Sequence, residues 1–301
     1  AQSMRGEPPK SSGKTLIEKF SIWNKLSFNS RYAIKNASRS KTRYLASLWG
    51  MFAAISMTIF AQGFNNSFDY FLYTLYEKFA LYDASVNITP TKWEDNSDIL
   101  TNDSIKYYDK AAIYQSRLYP AFDDDSESIY LPTLIYKDGF SSLDIPYNED
   151  REDSVMIPKY LADKLKVKEN DYIGIELYTI GNSISRRVKV SKLVEQQGMF
   201  YIYMDKDFAE NTFDIPNVYN SLFLTSKDDV SQDDIKTMLY DSKDVSYYSF
   251  RNDEYQAYKN QIATIYLLVQ ILIFIAFLLG ATSLYGVGVI TLATRRYEFT
   301  L

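Results

Sequence analysis

The chain has 301 residues, of which 46% are hydrophobic, and it carries a formal net charge of −5 with neither cysteine nor histidine. Without these two residue types it has no Ser-His or Cys-His nucleophile system and few zinc ligands, so the usual hydrolase mechanisms are not expected. The sequence also lacks a glycine-rich phosphate loop of the Walker type. We therefore predict a chain that is not an enzyme, does not itself hydrolyse ATP and needs no cofactor.

The first part of the chain is polar and basic. Residues 1–14 (AQSMRGEPPKSSGK) are rich in proline, glycine, serine and charge, which is typical of a flexible linker. From Thr15, apolar side chains recur on one helical face, and we predict a basic amphipathic helix within residues 15–43 that lies in the membrane interface. A helix packed on another protein domain is the alternative.

Two long segments contain no Asp, Glu, Lys or Arg. They run from Leu45 to Phe64 and from Gln261 to Thr294. Each reaches the length of about 20 residues that an α-helix needs to cross the hydrocarbon core of a bilayer. We predict two membrane-spanning helices, and a buried core helix of a soluble protein is the alternative for each.

The flanking charges predict the orientation of these helices. Residues 1–44 hold ten basic and two acidic residues, and the segment after Thr294 has a net charge of +1. Residues 45–294 hold 21 basic and 35 acidic residues, a net charge of −14. Because positively charged flanks remain in the cytoplasm, both ends of this chain are predicted to be cytoplasmic and residues of about 65–261 extracellular. A large outer domain without cysteine favours a bacterial plasma membrane.

Between the two spans, the sequence predicts a mixed domain. Phe68, Phe71, Leu72, Leu75, Phe79 and Tyr82 recur at helical spacing, so the first helix is predicted to continue outside the membrane as a stalk. A polar helix over residues 254–266 is predicted to lead back into the second span. Strands are predicted at 86–90, 129–136, 155–158, 172–178, 186–194, 201–204, 219–224 and 245–250, helices at 102–118, 159–164 and 231–239, and a hairpin turn at 181–182.

Three features could bind a ligand. The acidic run Asp123-Asp-Asp-Ser-Glu127 lacks the alternating ligands and central glycine of an EF-hand, so we interpret it as a surface turn. Most of the 27 tyrosines are expected in strands and interfaces, with a sugar- or peptide-binding aromatic face as the alternative. The basic residues beside the first span are expected to contact anionic lipid, not nucleic acid.

Four segments, taken in chain order, resemble one family. Ser30–Arg43 (SRYAIKNASRSKTR) resembles the R-x-A-x-x-N-x-x-R-x-K-x-R entry segment of FtsX-like, or MacB-like, ABC transporter permeases. Val155–Asp171 resembles the I-x-x-x-L-A-x-K-L-x-V-x-x-G-D stretch of their extracellular domain, with Asn170 in place of the usual glycine. Lys189–Glu195 is similar to the strand that follows. Thr294–Leu301 resembles their E-R-x-R-E-x-A-x-L segment, from which Thr294 and Thr300 depart.

The resemblance implies a permease subunit that couples ATP hydrolysis on a partner to motion of the extracellular domain, for export or extraction of a peptide, lipid or lipoprotein. The linker at the start resembles the one between the halves of about ten-span members, so the chain is expected to be the beginning of a second half. The implied partners are an ABC ATPase subunit, membrane lipids, and a second permease half or a second copy. A two-span sensor with an extracellular ligand-binding domain and an FtsX-like regulator of a cell-wall hydrolase are the alternatives.

The implied fold class is α+β, with two transmembrane helices extended as stalks and flanking a mixed α/β extracellular domain of the MacB periplasmic-core type. Coupling to the ATPase is assigned to Arg295, Arg296 and Glu298, with membrane anchoring as the alternative for the arginines. The membrane-entry basic segment contains Arg31, Lys35, Arg39, Lys41 and Arg43. The expected parts are a cytoplasmic linker (1–14), a juxtamembrane helix (15–43), a transmembrane helix with its stalk (44–82), the extracellular domain (83–253), a second stalk with its transmembrane helix (254–294) and the start of a coupling segment (295–301).

Overall fold

The computed structural model of the chain describes residues 23, 26–28, 30–31, 41–120, 128–179, 181–195, 198 and 200–295, and it describes no side chains at 41–44, 46–47, 283, 287 and 290–295. The chain divides into two compact units. One, the helical unit, comprises residues up to Asn66 and from Ala263 onward, and the other, the mixed unit, comprises Ser67–Ile262. Five α-helices are described: α1 (Lys41–Tyr73), α2 (Lys159–Leu165), α3 (Lys206–Phe213), α4 (Gln232–Asp241) and α5 (Arg251–Arg295).

Parts of α1 and α5 form the helical unit. The two helices approach closely at Gly280, where an added Cβ would lie 3.8 Å from both the Gly50 carbonyl oxygen and Ala54 Cβ. Further along, the Tyr266 hydroxyl donates a hydrogen bond to the Asn65 carbonyl oxygen at 3.3 Å. The two contacts follow opposite chain directions, so the helices are antiparallel. Small residues at the first contact permit this close approach.

One helix of the described part of the chain is long and apolar enough to span a membrane. It covers Arg251–Gly286, with a mean hydropathy of 2.7 in its most apolar window, of which 6% is buried. Large apolar side chains of α1 are also exposed, among them Trp49, Ile59 and Phe60, each about two-thirds accessible. The first membrane span itself stays a prediction from the sequence.

Nine strands are described in the mixed unit, and β2 belongs to both of its halves. Its second half pairs with β3 and β5, which closes a ring in the order β2-β5-β6-β4-β7-β3, whereas its first half pairs with β8 in the antiparallel sheet β2-β8-β1-β9. Among the described strand pairs, only β3–β7 and β4–β6 are parallel. The strands are β1 (Ala84–Lys92), β2 (Ile105–Pro120), β3 (Ile129–Tyr136), β4 (Ser154–Pro158), β5 (Tyr172–Thr179), β6 (Asn182–Val194), β7 (Ile202–Asp205), β8 (Val218–Ser226) and β9 (Val245–Phe250).

Each half has its own hydrophobic core. Leu118, Ile175 and Phe213 are among the residues that fill the ring, and all three are fully buried. The second core lies between the four-stranded sheet and α4, which contributes Ile235 and Leu239. This helix begins at a capping box, in which the Ser231 side chain and Asp234 exchange hydrogen bonds with each other's backbone N–H groups.

The predicted strands are all confirmed to within a few residues, as are the helices now numbered α2 and α4. The helix predicted at residues 102–118 is wrong, because Ile105–Pro120 is the long strand β2. Its buried side alternates until the adjacent residues Ala111 and Ala112, both buried, where the strand passes from the sheet to the ring. Pairing with three other strands outweighs the helix-forming residues Lys110, Ala111 and Ala112.

Two further helical features depart from the prediction. Helix α3 was not predicted, although Asp205 caps it by accepting hydrogen bonds from the backbone N–H groups of Asp207 and Phe208. The first stalk was expected to remain helical as far as Tyr82, but α1 ends at Tyr73 and continues as a π-helical turn over Thr74–Phe79. Single π-turns of this kind often occur at functional positions.

Candidate functional site

The chain enters and leaves the sheet of the mixed unit on neighbouring strands. Strands β1 and β9 are antiparallel partners, with Ala84 opposite Phe250. One residue further out, the Arg251 backbone N–H donates to the Asp83 carbonyl oxygen at 2.9 Å. The ends of the two helical segments that adjoin the sheet are therefore held side by side. We call the cluster Tyr76, Ala80, Asp83, Arg251 and Glu254 the helix root.

Arg251 is the centre of the helix root. Its Nη1 donates to the carbonyl oxygens of Tyr76 and Ala80 at 3.0 and 3.1 Å, and its Nη2 lies 3.7 Å from Asp83 Oδ1. The last turn of a helix leaves carbonyl groups without intrahelical donors, and a guanidinium satisfies them with favourable charge. The first residue of α5 thus stabilises the end of the π-helical turn.

Asp83 ties the same cluster to the sheet. Its Oδ2 accepts hydrogen bonds from the backbone N–H and the hydroxyl of Ser226, both at 2.9 Å. Because Ser226 is the last residue of β8, the carboxylate joins the helix root to a third element of the mixed unit. Displacement of Arg251 is therefore expected to shift the adjoining ends of β1, β8 and β9 together.

A buried carboxylate supports the helix root from the other side. Asp109 Oδ2 accepts hydrogen bonds from Ser141 N, Ser142 N and Ser142 Oγ at 2.9, 2.7 and 2.7 Å. The segment that it holds bonds in turn to the end of the π-helical turn, because Leu81 N donates to the Ser142 carbonyl at 2.9 Å. Asp109 thus positions a loop against the first helical segment without contacting that segment itself.

Aromatic side chains fill the space between the two helical segments. The Tyr76 ring lies 5.9 Å from that of Tyr255 and 6.1 Å from that of Tyr258, and its hydroxyl donates to Glu254 Oε2 at 3.5 Å. Burial raises the pKa of Tyr76 above its usual value, and the nearby Glu254 carboxylate raises it further. Burial also raises the pKa of Tyr82. Both tyrosines are therefore neutral at any physiological pH.

The buried tyrosines predict a loss of stability at alkaline pH. Burial, with a contribution from Asp205, raises the pKa of Tyr136 to about 12, whereas an unfolded chain ionises its tyrosines near pH 10. This stabilisation is complete below pH 10 and is lost as the pH rises to 12. At pH 11 the loss is about 1 kcal/mol for this tyrosine alone. Urea unfolding at pH 8, 10 and 11 measures the decline, which should be smaller in Tyr136→Phe. An unchanged free energy of unfolding up to pH 11 would contradict the prediction.

The structure does not describe the side chains that the sequence predicts to act in coupling. Arg295 is the last described helical residue and its side chain is not described, while Arg296 and Glu298 lie outside the described residues. In the basic segment, Arg31 Nε donates to the Leu26 carbonyl at 3.0 Å. Lys35 and Arg39 lie outside the described residues, and Lys41 and Arg43 lie in the first turn of α1 with undescribed side chains.

The helix root was missed at the sequence level. Its signal is one acidic and one basic residue placed directly outside two strands, Asp83 before β1 and Arg251 after β9. That pattern predicts a contact between the two residues only when the two strands are known to be neighbours. Among the described residues, no group of three or more acidic, histidine or cysteine side chains is placed to hold a metal ion.

The chain is similar to two solved structures of outer domains. The extracellular domain of the noncanonic ABC-type transporter YknZ from Gram-positive bacteria matches 56% of this chain and 98% of its own, at 15% identity with a TM-score of 0.36. The periplasmic region of MacB from Actinobacillus actinomycetemcomitans matches 61% of this chain and 95% of its own, at 12% identity with a TM-score of 0.36. No protein-family model and no curated protein matches the sequence.

Proposed function

We propose that this chain is part of the permease subunit of a bacterial ABC transporter of the MacB/FtsX type. In this proposal an ATPase subunit in the cytoplasm drives motion of the helices, and the mixed unit is the extracellular part that moves. The order of the four sequence motifs, the two uncharged segments and the charge difference between the flanks and the middle support it. The cargo is a peptide, lipid or lipoprotein.

The observation that carries the proposal is the geometry of the helix root. Helix α5 begins directly after β9, four residues separate the π-helical turn from β1, and Arg251 contacts the end of that turn from the start of α5. A hydrogen-bonded helix transmits a displacement along its length, and the π-helical turn over Thr74–Phe79 continues α1 as far as the helix root. A relative shift of the two segments would therefore act on one hydrogen-bonded cluster, from which β1, β8 and β9 continue.

The parts outside the mixed unit have roles that follow from their charge. We assign Arg295, Arg296 and Glu298 to contact with the ATPase subunit, because charged groups at a cytoplasmic helix end can pair with a partner protein. Arg31, Lys35, Arg39, Lys41 and Arg43 would contact anionic headgroups of the inner leaflet. The extracellular domain in this proposal is residues 83–253, between stalks that begin at the two membrane spans.

Purification from native membranes tests the proposal. The intact protein, solubilised in a mild detergent, is expected to bring down an ABC-type ATPase subunit in a fixed ratio, identified by mass spectrometry. Reversing the charges in Arg295→Glu/Arg296→Glu should reduce the amount recovered by more than tenfold, whereas Lys137→Met on the mixed unit should leave it unchanged. Recovery of a kinase or cyclase in place of an ATPase would contradict the proposal in favour of a sensor.

A further inference from the structure

One side of the ring carries an unusual set of exposed side chains. On β3, β2, β5 and β6 the inward residues include Leu118, Ile173 and Ile175, which are fully buried, and most of the residues that alternate with them are partly or fully exposed. We call this outward side the tyrosine wall. It is defined by Tyr119, Tyr130, Tyr172 and Tyr178 with Arg117 and Arg187.

The tyrosine rings of the wall are partly or largely exposed, and contacts with their neighbours hold them in place. Tyr130 is 65% exposed and Tyr172 is 49% exposed. Tyr130 and Tyr178 stack with centroids 6.4 Å apart and an angle of 18° between their planes. The Tyr119 ring lies over Gly174, where any Cβ would collide with it. The absence of a side chain at this glycine lets a ring lie flat against the sheet.

Cationic groups are interleaved with these rings. The Arg117 guanidinium lies 5.3 Å from the centroid of the Tyr119 ring, and the Arg187 guanidinium lies 4.8 Å from that of Tyr172. Cation–π contacts of this kind fix the position of both groups. Glu176 accepts a hydrogen bond from Tyr178 at 3.0 Å and lies 3.4 Å from Arg117. The wall is therefore organised before any ligand binds.

The charge of the wall is opposite to that of its surroundings. The outward side of its four strands carries three basic residues, Arg117, Arg187 and Lys189, and one acidic residue, Glu176. Residues 45–294 as a whole carry a net charge of −14. A basic, aromatic surface within an acidic domain attracts a negatively charged partner to that surface and away from the rest.

We propose that the tyrosine wall binds an anionic polysaccharide. Sugar rings present C–H groups of partial positive charge that pack on the negative face of an aromatic ring, and arginine pairs with carboxylate or phosphate groups through two parallel hydrogen bonds. The wall is an open surface, which suits a polymer better than a small molecule. At Arg117 and Tyr178 the two central strands, β2 and β5, are paired on both sides, so the centre of the wall offers no free edge to an extended peptide.

Binding of the 301-residue chain in detergent to immobilised polygalacturonate tests the inference. Neutral dextran is the control for a sugar polymer without charge. Poly-L-glutamate is the control for a charged polymer without sugar. We expect the chain to bind polygalacturonate at least tenfold more tightly than either, with affinity that falls as salt rises. Tyr130→Ala/Tyr178→Ala and Arg187→Gln should each weaken binding at least tenfold. The matched control, Tyr240→Ala, removes a tyrosine that is 80% exposed and lies on α4, and it should leave binding unchanged.

Three outcomes would overturn the inference: no binding to polygalacturonate, equal binding to poly-L-glutamate, or a double tyrosine variant that binds as tightly as Tyr240→Ala. Thermal unfolding of each variant verifies that the ring remains folded. If the double variant is unfolded, Arg187→Gln and the salt titration decide, because this arginine is exposed and its removal leaves the core of the ring intact. The test does not require the ATPase subunit, so it can fail while the proposed transport function holds.

Discussion

Asp109→Ala is expected to lower the free energy of unfolding of the mixed unit by about 3–4 kcal/mol. The residue is 8% exposed, and its carboxylate accepts three hydrogen bonds from Ser141 and Ser142 and a fourth from the Tyr107 hydroxyl at 2.8 Å. Alanine leaves two backbone N–H groups without their acceptor, and a buried unsatisfied donor costs about 1–3 kcal/mol. Urea unfolding followed by tryptophan fluorescence measures the loss.

Asp109→Asn and Lys137→Met serve as the graded comparison for this variant. Asparagine keeps one acceptor oxygen but places an amide N–H₂ among donors, so we expect about half of the loss. Lys137 is exposed and near the same loop, and its replacement should change stability by less than about 0.5 kcal/mol. Equal stability of Asp109→Ala and Lys137→Met would mean that the carboxylate does not hold the Ser141–Ser142 segment.

Arg251→Met is expected to lower the same free energy by about 2–3 kcal/mol. The side chain loses two charge-assisted hydrogen bonds to the carbonyls of Tyr76 and Ala80 and the ion pair with Asp83. Bonds to charged groups contribute about 1.5–3 kcal/mol each, and the 30% exposure of this side chain lets water replace part of them. Methionine has a similar length and removes the donors with little loss of packing.

Hydrogen exchange shows where this stability is lost. We expect faster exchange in Arg251→Met at Ala80, Leu81 and Asp83, whose backbone N–H groups bond at the helix root, and little change in the far strands β5 and β6. Arg251→Lys keeps the charge but cannot reach both carbonyls at once, so it should lie between wild type and Arg251→Met. Uniform acceleration over the whole mixed unit would indicate a general loss of stability and no special role for the helix root.

The elements that could be predicted from sequence are those with a local signal. Strand β3 was predicted at its observed bounds, and α4 follows from its capping box and its apolar spacing. Strand β2 was mistaken for a helix because its buried side changes at Ala111–Ala112, which breaks the alternation that identifies a strand. Only the closure of the ring explains that change, and ring closure is a property of the whole fold.

The helix root could not be predicted for a related reason. Asp83 and Arg251 are far apart in the chain, and their meeting depends on the pairing of β1 with β9. The sequence motifs directed attention to Arg295, Arg296 and Glu298, which we propose contact a partner protein, whereas the helix root lies within the mixed unit, where the two helical segments meet the sheet. The wall was anticipated only as the alternative of an aromatic binding face, because the sequence does not reveal which tyrosines share a surface.

The central claim is that nucleotide-driven motion reaches the mixed unit through its two helical segments. The chain has no cysteine, so spin labels can be attached at Tyr70→Cys and Gln261→Cys, two exposed positions on these segments. In the intact protein with its ATPase, we predict that ATP shifts the distance distribution between the two labels. We also predict that Arg251→Met reduces the part of this motion that reaches the sheet. An identical distribution with and without ATP, while the ATPase turns over, would contradict the account.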